Sequence, residues 1–315
     1  MFWTRNKTSR DKAAGSEAYV ALERPGTPSR IVSLSVLVRD LMSLTKPRLS
    51  LLVILTAACG MAVAPGPRDF AMLLVALLGT SLIVGSANAL NCYLERDLDG
   101  YMERTRDRPL VTGRLSGAAA LAWGVALFAV GLLLLQRSTN PLTVFLGILA
   151  FALYLGVYTP MKRHSMLALF AGAVPGALPP MMGWTSVTGQ AETGAWILFA
   201  ILFFWQLPHF IAISLFRQRE YERAGLKTLP GTLGSLPAKQ QMVIYASLVS
   251  IVSLLPYPLG LAGFRYFLVT FVVGAVFSAA ALAGLLNVRD LNWSRIVFFG
   301  SLAYLPVVLV AWVLS

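Results

Sequence analysis

Apolar residues in this chain fall into long runs separated by short polar segments, without the alternation of a half-buried strand. Nine runs approach the ~20 mostly apolar residues a helix needs to span hydrocarbon. They lie at about 49–65, 70–90, 117–136, 141–158, 166–184, 194–216, 242–262, 266–287 and 294–314. The pattern predicts an all-α, polytopic membrane bundle of about nine transmembrane helices. Residues 31–44 are too short to span and are expected to lie along the interface as an amphipathic helix. Residues 1–30 are polar, mixed in charge and without the apolar centre of a signal peptide, and read as a cytosolic tail. The chain divides into 1–44, tail and interfacial helix, and 45–315, the transmembrane domain.

Composition strengthens this picture. Of 315 residues, 57% are hydrophobic and only 13% charged, against roughly 25% charged in a soluble globule. A net charge of +12 would point to nucleic acid in a soluble protein. Here its distribution reports topology and no nucleic acid is implied. Nine of the 26 Lys and Arg precede the first run, five lie between runs two and three, two between four and five, five between six and seven, and two around the junction of eight and nine. Arg68, Arg137 and Arg265 alone fall on the other side. The positive-inside rule then places the N-terminus and the even-numbered loops in the cytoplasm. Cys59 lies within a span and Cys92 beside a polar motif, so both are read as reduced, structural thiols.

Ionisable residues concentrate in two segments, each following an even-numbered span. The first is Asn91-Cys-Tyr-Leu-Glu95-Arg-Asp-Leu-Asp99-Gly100 with the basic stretch to Leu110. The second is Phe216-Arg217-Gln-Arg-Glu220-Tyr-Glu-Arg-Ala-Gly225. If the second helix continues through the first segment, Asn91, Glu95 and Asp99 diverge by only about 80° in total and share one face, while Asp97 points away. Gly100 is a natural stop. Two carboxylates and an amide, all oxygen donors, suit Mg²⁺ bound together with substrate phosphates. Arg104, Arg106, Arg108, Lys162, Arg163 and Arg217 supply cations for the remaining phosphate oxygens. A mixed-charge loop after a membrane helix is also often no more than a solvated face, and topology alone demands Arg there. Asp97, Glu103 and Glu222 take that plainer reading.

Two further segments stand out. Phe170–Trp184 is rich in small residues and Pro, which lets helices approach closely and suits irregular backbone around a cavity. Trp205-Gln-Leu-Pro208-His209 places one histidine within an apolar span; such a residue is more often a hydrogen-bonded packing group than a ligand.

Taken together, Asn91-x-x-x-Glu95-x-x-x-Asp99 and Arg104-Thr-Arg-Asp-Arg108 resemble the first aspartate-rich motif of the intramembrane UbiA-type prenyltransferases. Leu44-Thr-Lys-Pro-Arg48, Tyr158-Thr-Pro-Met-Lys-Arg163, Pro179-Pro-Met-Met-Gly-Trp184, Phe204–Phe210 and Phe216–Gly225 extend the resemblance over about residues 44–230. The Trp-Gln-x-Pro-His string is similar to the branch that modifies haem. The resemblance implies transfer of a farnesyl group from farnesyl diphosphate to a vinyl group of haem B, completed by water. It also implies Mg²⁺ held by Asn91, Glu95, Asp99 and Glu220. Arg104, Arg108, Lys162, Arg163 and Arg217 would hold the diphosphate, and His209 would hold haem. A bacterial inner membrane is the expected location, with the site facing the cytoplasm and a haem A synthase or a terminal oxidase assembly as possible neighbours. Glu95 and Glu220 stand where the family usually has Asp, Ala224 replaces a second carboxylate of the broader superfamily, and Ala168-Leu169 replaces the family's Asn-Ile.

Three rival readings remain open on residues alone. A prenyltransferase acting on a quinone or chlorin ring shares the acidic motif. A transporter of an anionic metabolite fits the broken helices and basic loops. A haem-handling factor without chemistry would use His209 and not the carboxylates.

Overall fold

The computed structural model describes residues 34–286 and 292–315, so the tail read at 1–30 lies outside the described residues. Every described element is helical. In chain order they are α1 (Leu34–Leu44), α2 (Pro47–Val63), α3 (Phe70–Leu94), α4 (Arg96–Asp99), α5 (Gly117–Ser138), α6 (Pro141–Ala152), a π-helical stretch (Leu153–Tyr158), α7 (Thr159–Met161), α8 (Ala168–Thr188), α9 (Thr193–Phe216), α10 (Gln218–Arg223), α11 (Leu229–Leu233), α12 (Ser235–Val252), α13 (Phe264–Leu286) and α14 (Asn292–Val313).

Local chemistry explains several boundaries. The Asp69 carboxylate accepts from the Ala71 and Met72 amides, Ser116 Oγ from Ala119, and Asn140 Oδ1 from Thr143, so three long helices begin on side-chain caps. Pro141 follows its cap at the first helical position, where its missing N–H costs nothing. α8 ends at Gly189, whose φ of 73° is the left-handed cap a helix terminus favours.

The nine expected runs match nine long helices among the described residues: α2, α3, α5, α6–α7, α8, α9, α12, α13 and α14. Length and composition alone qualify six of them as membrane spans, or seven if α1 and α2, bent by 52°, count as one. The others are short, like α2 with its 17 residues, or diluted by Gly, Pro and polar residues, like α8 and α12. Large apolar side chains are exposed along the long helices; Val276 and Phe299 expose 65% and 64% of their area, as lipid-facing residues do.

One boundary departs clearly from expectation. The seventh run begins at Ser235, not at 242, so Lys239 belongs to a helix and not to a loop. It is buried, donates to the Gly284 carbonyl at 3.1 Å and lies 5.1 Å from the Trp293 ring centroid. A charge read from sequence as a loop residue therefore sits inside the bundle, with its ammonium held by α13 and α14.

Helix packing closes the bundle. α2 packs on α8, α3 and α14; α3 on α5; α8 on α6 and α9; and α9 on α12 and α14. The α2–α8 crossing is so close that a Cβ built on Gly60 would come within 2.0 Å of the Pro180 carbonyl, and one on Gly183 within 2.0 Å of Ala57 O. Only glycine permits such backbone contact. Up-and-down connectivity then gathers the α1–α2 break, the end of α3, the π-helical end of the α6 span and the end of α9 at one end of the molecule.

Candidate active site

The site is built where α3 stops. The helix breaks at Glu95, whose backbone (φ −102°, ψ 8°) leaves helical geometry before α4 resumes. Sequence reasoning expected an unbroken helix here. The register survives nonetheless: Glu95 N donates to Asn91 O and Asp99 N to Glu95 O, each at 2.9 Å. Asn91, Glu95 and Asp99 therefore share one face as the four-residue spacing demanded. α4 stops before Gly100, and Asp97 faces outward with 79% of its side chain exposed beside Arg96.

Each acceptor on this face meets a cation or donor from a different part of the chain. Asn91 Oδ1 accepts from Lys46 Nζ at 2.9 Å, and Asn91 Nδ2 donates to Thr159 Oγ1 at 3.2 Å. Glu95 Oε1 lies 2.5 Å from Lys162 Nζ. Asp99 pairs with Arg108, and its carbonyl accepts from Thr105 Oγ1 at 2.8 Å. Glu220 Oε2 lies 2.7 Å from Arg217 Nη1 in the second segment. Asn91, Glu95 and Asp99 are buried, so these are polar groups whose bonds matter.

The second acidic segment is tied to the first through backbone. Lys227 N donates to Lys162 O at 3.0 Å, placing the chain after α10 against the residue that holds Glu95. The Tyr221 phenol is pushed up chiefly by burial; it feels Arg104 and Arg217, which pull it down, and Tyr158 and Glu220, which add to the rise. Lys162 shows the same convergence. Burial works against its charge, but Tyr158, Glu95 with its hydrogen bond, and Asp99 outweigh it and move the ammonium's pKa upward. The Tyr158 ring lies under that ammonium, 4.6 Å from centroid to Nζ.

Lys46 was not singled out from sequence. It occupies the α1–α2 break with a φ of 50°, alone among described non-glycine residues in the left-handed region. Such a conformation persists only where its surroundings enforce it, and it recurs at functional sites. The π-helical stretch was likewise unforeseen. It ends at Tyr158 beside the site, and Thr159 Oγ1, the partner of Asn91, also donates to Tyr154 O at 2.8 Å. π-Helical turns inside membrane helices often mark functional positions. The only signal for either was Leu44-Thr-Lys-Pro-Arg48 and Tyr158-Thr-Pro.

Not all expected cations join in. Arg104 is exposed and acts on Tyr221 through its field, and Arg163 is exposed, with no side-chain partner among the described residues. Glu222 pairs with Gln218 at 2.8 Å on the surface, as its plain reading held. His209 lies eight residues before Arg217 on α9, roughly 12 Å along the axis. It is buried between Trp205 and Phe298, away from the acidic face. Both cysteines are free.

Among the described residues, no three His, Cys, Asp or Glu side chains converge as a self-sufficient metal site. An ion held here must take further ligands from outside the protein, which is how Mg²⁺ binds with phosphates. The residues fit that demand. Their donors are all oxygen, and Glu220 Oε1 is buried with no hydrogen-bond partner, an acceptor left over for a ligand.

Known proteins resemble this chain over most of its length. The UbiA prenyltransferase family matches residues 52–312. Protoheme IX farnesyltransferase of Anaeromyxobacter dehalogenans is 47% identical over 277 residues, covering 88% of this chain and 94% of the relative. The Myxococcus xanthus protein of the same name is also 47% identical over the same shares. Among solved structures, digeranylgeranylglyceryl phosphate synthase superposes with a TM-score of 0.74 at 16% identity, over 88% of this chain and 97% of that one. A UbiA homolog from Archaeoglobus fulgidus, bound to GPP and Mg²⁺, gives 0.64 at 17% identity, over 88% of this chain and all of that one. At such identities the structures speak for the fold.

Proposed function

The chain belongs to the UbiA prenyltransferase family, and from that premise we propose that it transfers the farnesyl group of farnesyl diphosphate to a vinyl side chain of haem B, making haem O. The observation that carries this reading is the paired acidic face, Asn91–Lys46, Glu95–Lys162 and Asp99–Arg108, joined through Lys162 to the Glu220 segment. The acceptors supply ligands for Mg²⁺, and the cations beside them supply partners for phosphate oxygens. Sequence identity of 47% over 94% of the length of proteins named protoheme IX farnesyltransferase supports the acceptor.

Asn91, Glu95, Asp99 and Glu220 would hold Mg²⁺, which would supply Lewis-acid neutralisation of the leaving diphosphate. Lys46, Lys162, Arg108 and Arg217 bind and orient the diphosphate, with Arg104 and Arg163 at the entrance. Their charge favours breaking of the allylic carbon–oxygen bond, whose electron pair leaves with the diphosphate. The farnesyl cation is shielded by the surrounding apolar helices from early capture by water. The terminal vinyl carbon then bonds to the farnesyl C1. Water adds to the neighbouring carbon and loses a proton, giving the hydroxyethylfarnesyl group. His209, in its aromatic setting on α9, holds the haem.

The charge asymmetry supports a bacterial inner membrane location with the acidic end facing the cytoplasm, where a water-soluble diphosphate enters. A haem A synthase or oxidase assembly nearby would take up the product. Membranes containing the protein, incubated with Mg²⁺, farnesyl diphosphate and either haem B or a quinone precursor, test the acceptor by mass spectrometry. Farnesylated haem is expected. Prenylation of the quinone ring alone, or of neither acceptor, would sink the reading.

A further inference from the structure

The His209 imidazole is held unusually completely for a residue deep in a membrane helix. Its ring is stacked on Trp205, one turn earlier on α9, at 4.8 Å and 22°, and faces Phe298 of α14 at 4.7 Å on a tilted contact. Phe210 meets it edge-on at 5.5 Å. Trp205 Nε1 donates to Ser301 O at 2.7 Å, fastening α9 to α14 beside the ring. Plane and position of the imidazole are thus set from several sides.

The hydroxyl of Ser301 decides the protons. Its Oγ lies 2.8 Å from His209 Nδ1 and 2.6 Å from the Phe298 carbonyl. A carbonyl only accepts, so the single hydroxyl proton is committed to Phe298 O and lone pairs of Oγ face the ring. His209 Nδ1 must then carry the hydrogen. In the neutral ring this leaves Nε2 with the bare lone pair, and Nε2 makes no hydrogen bond among the described residues. The bond to Ser301 accounts for Nδ1, and Nε2 is the nitrogen left with ligand capacity.

We propose that Ser301 is a positioning residue that fixes the Nδ1–H tautomer of His209, so that Nε2 is presented as a ligand to the iron of the haem substrate. The proposal rests on the haem reading above and adds the atom and the residue that prepares it. A hydrogen bond to the distal imidazole nitrogen is the usual way a protein orients a metal-binding histidine and raises its basicity. Here the device is assembled from residues 92 positions apart in the chain.

The chain contains only two histidines, His209 and the exposed His164, so the tautomer can be read directly. Nitrogen-15 histidine spectra of the purified protein in nanodiscs, with His164→Gln to assign them, should give the Nδ1–H form for His209. Ser301→Ala should lose that preference and weaken ferric haem binding by roughly 10–100-fold, with a changed Soret band. Ser301→Thr, which keeps the hydroxyl, should restore both. An Nε2–H tautomer in the wild-type protein, or unchanged haem affinity and spectrum in Ser301→Ala, would overturn the proposal. If the wild type shows the Nδ1–H tautomer but binds no haem, the substrate reading fails and the ligand assignment with it, while the tautomer itself stands.

Discussion

At the scale of single residues, the face of Asn91, Glu95 and Asp99 works by pairing each of these buried side chains with a cation from another segment, Lys46, Lys162 and Arg108. Asn91, Glu95 and Asp99 were legible in sequence because a four-residue spacing is a local property of a helix. Their partners were less so. Lys46 reaches Asn91 across 45 positions, and no periodicity links them. Glu95 sits at the backbone break with its side chain on Lys162. Removing Lys46 leaves the buried, neutral Asn91 amide oxygen without its donor, a penalty of about 1–3 kcal/mol, and takes one cation from the diphosphate site. Lys46→Met is therefore expected to raise the KM for farnesyl diphosphate by at least about tenfold, the equivalent of ~1.4 kcal/mol. Steady-state kinetics at saturating haem measures this; an unchanged KM would remove Lys46 from the diphosphate site. Arg108→Lys should also be strongly impaired, since an ammonium cannot reproduce the guanidinium's planar fork.

At the scale of elements, the close approach of α2 and α8 sets how the Gly- and Pro-rich helix α8 sits. The abundance of Gly, Ala and Pro in Phe170–Trp184 made tight packing readable, but not which helix would be met. That partner is α2, through Gly60 and Gly183. Gly183→Ala would drive a methyl into the Ala57 carbonyl, and because both atoms are backbone or fixed to it, the helices must separate. Overpacking of this kind costs typically 1–3 kcal/mol. A lower melting temperature in detergent is the expected outcome, with activity falling in step; wild-type stability would contradict the crossing. The start of α12 was misjudged for a physical reason. Lys239 looks like a loop charge in sequence, whereas its ammonium is satisfied by the Gly284 carbonyl and the Trp293 face, neither of which is near it in the chain. The break at Glu95 was hidden for the opposite reason, since its flanking hydrogen bonds preserve helical register.

At the scale of the whole molecule, nine long helices among the described residues bring four polar segments to one end, and from the charge distribution we propose that this end faces the cytoplasm. The number of helices was readable because apolar runs of span length have few alternative fates. Which helices neighbour one another was not, because lipid-facing and buried apolar residues look alike in sequence. The topology predicts that Ser138→Cys, at the opposite end, is labelled by an impermeant thiol reagent in intact cells. Asp97→Cys should react only after permeabilisation, with Cys59 and Cys92 replaced as background. The reverse pattern would invert the orientation and place the diphosphate site outside.

The central claim, that the acidic face carries a metal–diphosphate used to farnesylate haem, is tested most directly by one comparison. Product formation from haem B, farnesyl diphosphate and saturating Mg²⁺ is measured by mass for the wild type and for Asp99→Asn, with equal folded protein verified for each. The account predicts farnesylated haem from the wild type and a loss of at least about a hundredfold in Asp99→Asn, about 2.7 kcal/mol of lost transition-state stabilisation. Wild-type turnover in Asp99→Asn would contradict it.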